Sequence, residues 1–211
     1  MCHHFLTRSV APGFRLLLPL IAVACYLFGA LGLALSAYRD EAHHGRGRRI
    51  AAVAIAAIGV LVHAGALIDE RRIEPDAALS LGDMLALVSL VIAITSILMA
   101  LRPRLRGMAA LLLGIAAVLE AAFSEGAREF SIGRPGWELA FHVAMATLAF
   151  AFLTIGAALA VAQVVVDRRL RSRKPLGWLK ILTPIESVES GCFQSILAGF
   201  AVLTLALVTG A

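Results

Sequence analysis

Six apolar runs, at residues 16–38, 50–68, 81–101, 107–123, 139–166 and 191–211, leave this chain few ways to fold. Each approaches or exceeds the roughly 20 residues that a helix needs to cross about 30 Å of hydrocarbon. None shows the every-other-residue alternation of a barrel strand. A backbone in lipid must also satisfy its own N–H and C=O groups, so the runs are read as helices. With 60% hydrophobic residues among 211, the chain has too little polar surface for a soluble globule and too many separate runs for a single anchor. The expected fold is all-α: one transmembrane domain over residues 1–211, a polytopic bundle of six transmembrane helices in a lipid bilayer.

The charges set the expected orientation. A net charge of +5 rests on 17 Arg and 2 Lys gathered into short connections, the usual pattern of cytoplasmic loops, which argues against a nucleic-acid partner. The 39–49, 102–106 and 167–190 connections carry thirteen of these cations; the N-terminal tail and the 69–80 and 124–138 connections carry six. The richer set belongs in the cytoplasm, which makes this a multi-pass protein of the bacterial inner membrane with its N-terminus outside. Cleavage at Ala34-Leu35-Ser36 would turn the 39–49 loop outward against this rule, so the first run is kept as a span.

Several polar residues read as structural. Ser80 and Asp83 have capping-box spacing at the start of the third span. Thr183-Pro184-Ile185-Glu186 places a cap, a proline at the first helical position and a capping carboxylate at the start of the last helix. Gly29, Gly32 and Cys25 read as packing positions, Trp137 as an interfacial anchor, and Glu120 as a side chain near enough to the outer boundary to reach water. His3-His4 and His43-His44 read as solvated. Cys2, Cys25 and Cys192 form neither CxxC nor CxxCH, so no thioredoxin-like or covalent c-haem motif is written. There is no HExxH, GxSxG, P-loop or GxGxxG, and no catalytic residue is assigned.

Two histidines inside the spans stand apart. Stepping from His142 at helical spacing gives Ala146, Ala149, Leu153, Gly156 and Ala160; walking back from His63 gives Gly59, Ala56 and Ala52. Such small-residue stripes face other helices rather than lipid, so both rings look into the bundle. His63 lies five residues before the outward end of its run, about 7 Å deep, and His142 about 5 Å deep. A shared depth near the outer leaflet suits two ligands on one metal. A bare ion wants three or four donors, whereas a haem needs two. Arg71, Arg72, Arg128 and Arg134, in the outer connections, are the cations nearest to meet its propionates. Helices 8–10 Å apart leave no room for a porphyrin, so this reading expects the Gly59/Ala56 and Ala146/Ala149 faces to line a gap. The alternative is that each ring caps a helix or bonds a backbone carbonyl across an interface.

From about His63 onward the chain resembles the CcsA/CcmC group of cytochrome c assembly membrane proteins, most closely its YpjD-like branch. The resemblance rests on Leu61-Val62-His63-Ala64, Leu85-Ala86-Leu87-Val88-Ser89, Gly136-Trp137 followed by His142, Thr183-Pro184-Ile185-Glu186-Ser187-Val188-Glu189, and Leu203 to Gly210. It implies a b-type, non-covalent haem with its iron on His63 and His142, and cytochrome c assembly proteins as partners. The tryptophan-rich WWD segment of the group's haem exporters is reduced here to Trp137, and the aromatic eight residues after His142 is Phe150, where the branch often has tyrosine. Two other classes stay open: a membrane regulator of haem synthesis like the HemX relatives, and a non-catalytic assembly partner whose histidines only lock helices.

Overall fold

The computed structural model describes residues 12–38, 45–73, 79–123, 131–132, 137–173, 175, 177–182 and 185–210. Among them are six α-helices: α1 Pro12–Tyr38, α2 Gly45–Ile73, α3 Leu81–Ala100, α4 Arg106–Phe123, α5 Trp137–Arg171 and α6 Ile185–Thr209. A 3₁₀ turn at Pro103–Leu105 joins α3 to α4, and a 3₁₀ segment at Gly177–Leu182 lies between α5 and α6. Two short strands, β1 Leu79–Ser80 and β2 Ser131–Ile132, pair antiparallel, Leu79 opposite Ile132 and Ser80 opposite Ser131. This ribbon ties the start of α3 to the connection that follows α4, so α4 returns the chain to the end of the bundle from which α3 left.

Among the described residues, five helices, α1, α2, α3, α5 and α6, contain a stretch long and apolar enough to cross a membrane. α4 has 18 residues, with Arg106 at its first position and Glu120 near its last, and both side chains are buried. It packs extensively against both α1 and α3. Its buried positions run from Met108, Ala109 and Leu112 to Leu113, Ala116 and Ala117, a face too wide for a helix with a single neighbour. Two α3 serines fix its register: Ser89 Oγ donates to Ala116 O at 3.0 Å and Ser96 Oγ to Ala109 O at 2.6 Å. At the other edge Arg106 Nη1 donates to Ser36 O of α1 at 3.2 Å.

The seam between α1 and α2 determines the candidate site. On α1 the buried positions are Ala22, Tyr26, Gly29, Leu33 and Ser36; on α2 they are Ala52, Ala56, Gly59 and His63. Both sets alternate steps of three and four, the spacing of helices packed at a shallow crossing angle. They meet in antiparallel order. A Cβ on Gly32 would lie 2.8 Å from Ala52 Cβ, one on Gly29 would lie 3.1 Å from Ala56 Cβ, and one on Gly59 would lie 2.8 Å from Cys25 Cβ and 3.0 Å from the Tyr26 ring. Gly29 and Gly32 are packing positions, as expected, because only a residue without a side chain lets the two backbones come this close.

α5 and α6 form a second tight pair. A Cβ on Gly156 would meet Ile196 at 2.7 Å, one on Gly199 would meet Leu153 at 2.9 Å, and Cys192 Sγ donates to Gly156 O at 3.4 Å. α6 buries Val188, Cys192, Ser195, Gly199 and Ala206 on one face and leaves Phe193, Leu197, Phe200 and Leu207 exposed on the other, as a lipid-facing helix does. The pair joins the rest chiefly through α3 on α5. The expected box at α3 is present: Ser80 Oγ accepts from Asp83 N at 3.1 Å and Asp83 Oδ2 accepts from Ser80 N at 2.9 Å. α6 begins at Ile185 with Glu186 in its first turn; Thr183 and Pro184 lie outside the described residues.

Candidate functional site

The polar group that the helix packing builds most completely is Tyr26–His63–Glu120. Each member comes from a different helix, α1, α2 and α4, and each is buried, the histidine 2% exposed and the carboxylate residue 5%. The Tyr26 hydroxyl lies 3.1 Å from His63 Nδ1, with the two rings tilted by 53°. On the other side of the imidazole, Nε2 lies 3.0 Å from Glu120 Oε2 but out of line for an N–H···O hydrogen bond. Beyond this approach neither buried atom has a hydrogen-bond partner among the described residues. With its proton on Nε2, facing the carboxylate, the ring accepts from the tyrosine at Nδ1.

Local packing explains why these three meet. Gly59, one turn before His63, leaves the space that the Tyr26 ring fills. A phenol, an imidazole and a carboxylate inside hydrocarbon each need a polar partner, and here each is within reach of another. The expected inward direction of His63 holds, and so does the burial of Ala52 and Ala56. The expected gap along Ala56 and Gly59 is corrected, because α1 occupies that face at contact distance. The small residues serve close helix approach, and a bundle of this size leaves no unfilled space where two backbones can touch. The expectation that Glu120 reaches water is corrected as well: the side chain turns into the bundle toward His63.

His142 lies in another part of the molecule, between α5 and α6. Its Nδ1 donates to Ala206 O at 2.8 Å, and the ring is half-buried. Because a carbonyl only accepts, the proton sits on Nδ1 and the lone pair on Nε2. A backbone carbonyl holding one ring nitrogen while the other keeps its lone pair is how metal-binding imidazoles are oriented. The ring fills the space beside Gly210, where a Cβ would stand 2.5 Å from it. Ala149 and Gly156, on the same stripe, are buried, so the inward direction read for this stripe holds too.

The two histidines therefore differ in what they offer an iron. His142 presents an Nε2 without a hydrogen-bond partner among the described residues; His63 has Tyr26 at one nitrogen and Glu120 at the other. α2 and α5, which carry them, are not principal packing partners. Of the four arginines expected near propionates, Arg71 and Arg72 lie in the last turn of α2, while Arg128 and Arg134 fall outside the described residues. Tyr26 was not legible as a site residue from spacing alone. A signal was present, since a lone phenol in an apolar span needs a partner and a glycine one turn before an inward histidine leaves room for a ring.

No curated protein and no solved structure matches the chain. A family model does: the one described as Cytochrome C assembly protein matches residues 73–211, a stretch that takes in Glu120, His142 and Ala206 and begins after Tyr26 and His63. That stretch is well over half of the sequence, and the chain belongs to the cytochrome c assembly protein family.

Proposed function

We propose that this protein is a six-pass member of the bacterial inner membrane, N-terminus outside, that handles a non-covalent b-type haem during cytochrome c assembly and performs no covalent chemistry itself. The observation that carries this reading is His142: an imidazole within the family-matched stretch, its Nδ1 tied to Ala206 O and its Nε2 without a hydrogen-bond partner among the described residues. Six passes are supported by the ribbon between β1 and β2, since a chain that leaves by α3 and returns by α4 has crossed twice. The thirteen-to-six division of cations supports the orientation. The short segments ending in Leu203–Gly210 favour the YpjD-like branch.

When bound, haem would supply an iron that imidazole nitrogens can coordinate. His142 is the residue to hold it, and the Ala206 carbonyl fixes the direction of its ring. For His63 to serve as the second ligand, one of its two contacts must be given up, and the Glu120 contact, being out of line, is the weaker. Arg71 and Arg72 at the end of α2, together with Arg128 and Arg134 by their place in the sequence, are the cations this reading assigns to the propionates. A second reading is favoured by one observation: His63 is engaged on both sides, as expected of a residue that locks three helices in a structural assembly partner.

The visible spectrum of the purified protein titrated with haem tests the first reading. Wild type should give a low-spin, six-coordinate spectrum, His142→Ala or His63→Ala a five-coordinate one, and the double variant no binding. A double variant with the wild-type spectrum makes both histidines packing residues.

A further inference from the structure

A cleft of about 780 Å³ separates α1 from α5, with α4 as its floor. Its walls are Ala30 and Ala34 on one side and Ala158 and Val161 on the other, and Leu179 and Leu182 of the 3₁₀ segment close it at one end. Its single polar lining side chain, Thr154, donates back to Phe150 O at 2.8 Å and offers nothing to an occupant. Leu31, Val161 and Val165 on its rim are exposed, so the cleft opens on the surface that faces lipid. The volume lies within the range of about 300–1,000 Å³ typical of sites for small molecules.

The charges at the closed end choose among apolar occupants. On α5 the cleft stripe runs Thr154, Ala158, Val161 and Val165, and the next turn of the same face carries Arg168 and Arg169. Both arginines are exposed and neither has an acidic partner among the described residues. The acid nearest in sequence, Asp167, points to the opposite face, where it is paired with Arg171 at 2.8 Å. At 35 residues, about 52 Å, α5 outruns the hydrocarbon, which puts this end at headgroup level. A dry slot whose closed end lies toward two guanidinium groups without an acidic partner among the described residues is complementary to a molecule with an apolar chain and an anionic head.

We propose that the α1–α5 cleft binds an anionic phospholipid, with an acyl chain against Ala30, Ala34, Ala158 and Val161 and the phosphate at Arg168 and Arg169. The lipid fills the seam between the α1–α4 group and the α5–α6 pair, where α1 and α5 are not principal packing partners. The site is separate from both His63 and His142, and a failure to bind haem leaves it untouched.

Native mass spectrometry of the full-length protein in mild detergent tests this, with phosphatidylglycerol and phosphatidylethanolamine of identical chains added in turn. Wild type should retain phosphatidylglycerol in preference. R168Q/R169Q should lose that preference by about fivefold per arginine, and R171Q, on the far face, should keep it. Ala158→Phe and Ala34→Leu, filling the cleft from opposite walls, should each lower retention of both lipids in protein that remains monodisperse. Equal retention of the two lipids by wild type overturns the proposal, as does a wild-type preference in R168Q/R169Q. If both cleft-filling variants fold and hold lipid as wild type does, the acyl chain lies elsewhere and the site is wrong.

Discussion

His63 and Glu120 face each other across 3.0 Å inside the bundle, from helices 57 positions apart in sequence, with the imidazole's other nitrogen against Tyr26. Side chains from three helices, α1, α2 and α4, are thereby pinned at one point. The partners of a buried polar contact cost most when only one is removed, because the survivor remains desolvated. Tyr26→Phe should therefore destabilise the protein by about 1–3 kcal/mol. His63→Ala, which orphans both partners, should cost more than either Tyr26→Phe or Glu120→Gln, and the Tyr26/His63 double variant should fall well short of the sum of its singles. Thermal unfolding of the four proteins in detergent measures this; strict additivity would refute the coupling.

Glycine positions give a contrast within one protein. Gly59→Ala forces a methyl group against Cys25 Cβ and the Tyr26 ring, parts of α1 that cannot swing away, and should cost about 1–3 kcal/mol. Gly114→Ala in α4 meets nothing within 4 Å and should be neutral or stabilise by up to about 1 kcal/mol, since glycine is a poor helix former. A melting series in which both fall equally would mean that the α1–α2 approach is looser than described.

Gly210 tests the orientation of His142 without touching the ring. A Cβ there stands 2.5 Å from the imidazole, so Gly210→Val should push the ring off the Ala206 carbonyl. Haem affinity should fall while the melting temperature changes little, because Gly210 is exposed at the end of α6. Unchanged titration curves would detach the carbonyl from any ligand role.

At the start of α3, Ser80→Ala removes the acceptor for Asp83 N and should lower stability by about 1 kcal/mol, with any haem spectrum unaltered. Loss of the spectrum in a protein that still melts cooperatively would move Ser80 from cap to site.

Orientation is testable by single cysteines on a background without Cys2, Cys25 and Cys192. Ser172→Cys, in the exposed turn after α5, should label from the cytoplasmic side, and Ser131→Cys, in β2, from outside. The reverse pattern would invert the bundle.

Hydrophobic runs, helix starts and inward faces were legible in the sequence because each is local. An apolar run of membrane length can satisfy its backbone only as a helix, Ser80 and Asp83 sit within one turn of each other, and a small-residue stripe around His63 or His142 marks a face wherever the helix goes. What fills the space in front of a stripe is not local. Ala56 and Gly59 fit an open cofactor slot and a close helix contact equally well, and only the antiparallel seating of α1, with Gly29 and Gly32 across from them, decided for contact. For the same reason Tyr26 and Glu120 became partners of His63, and α4 became the shielded centre, through packing between segments far apart in the chain. Spacing along one helix fixes the direction of a side chain; what it meets depends on the position and rotation of the neighbouring helices, which long-range packing sets.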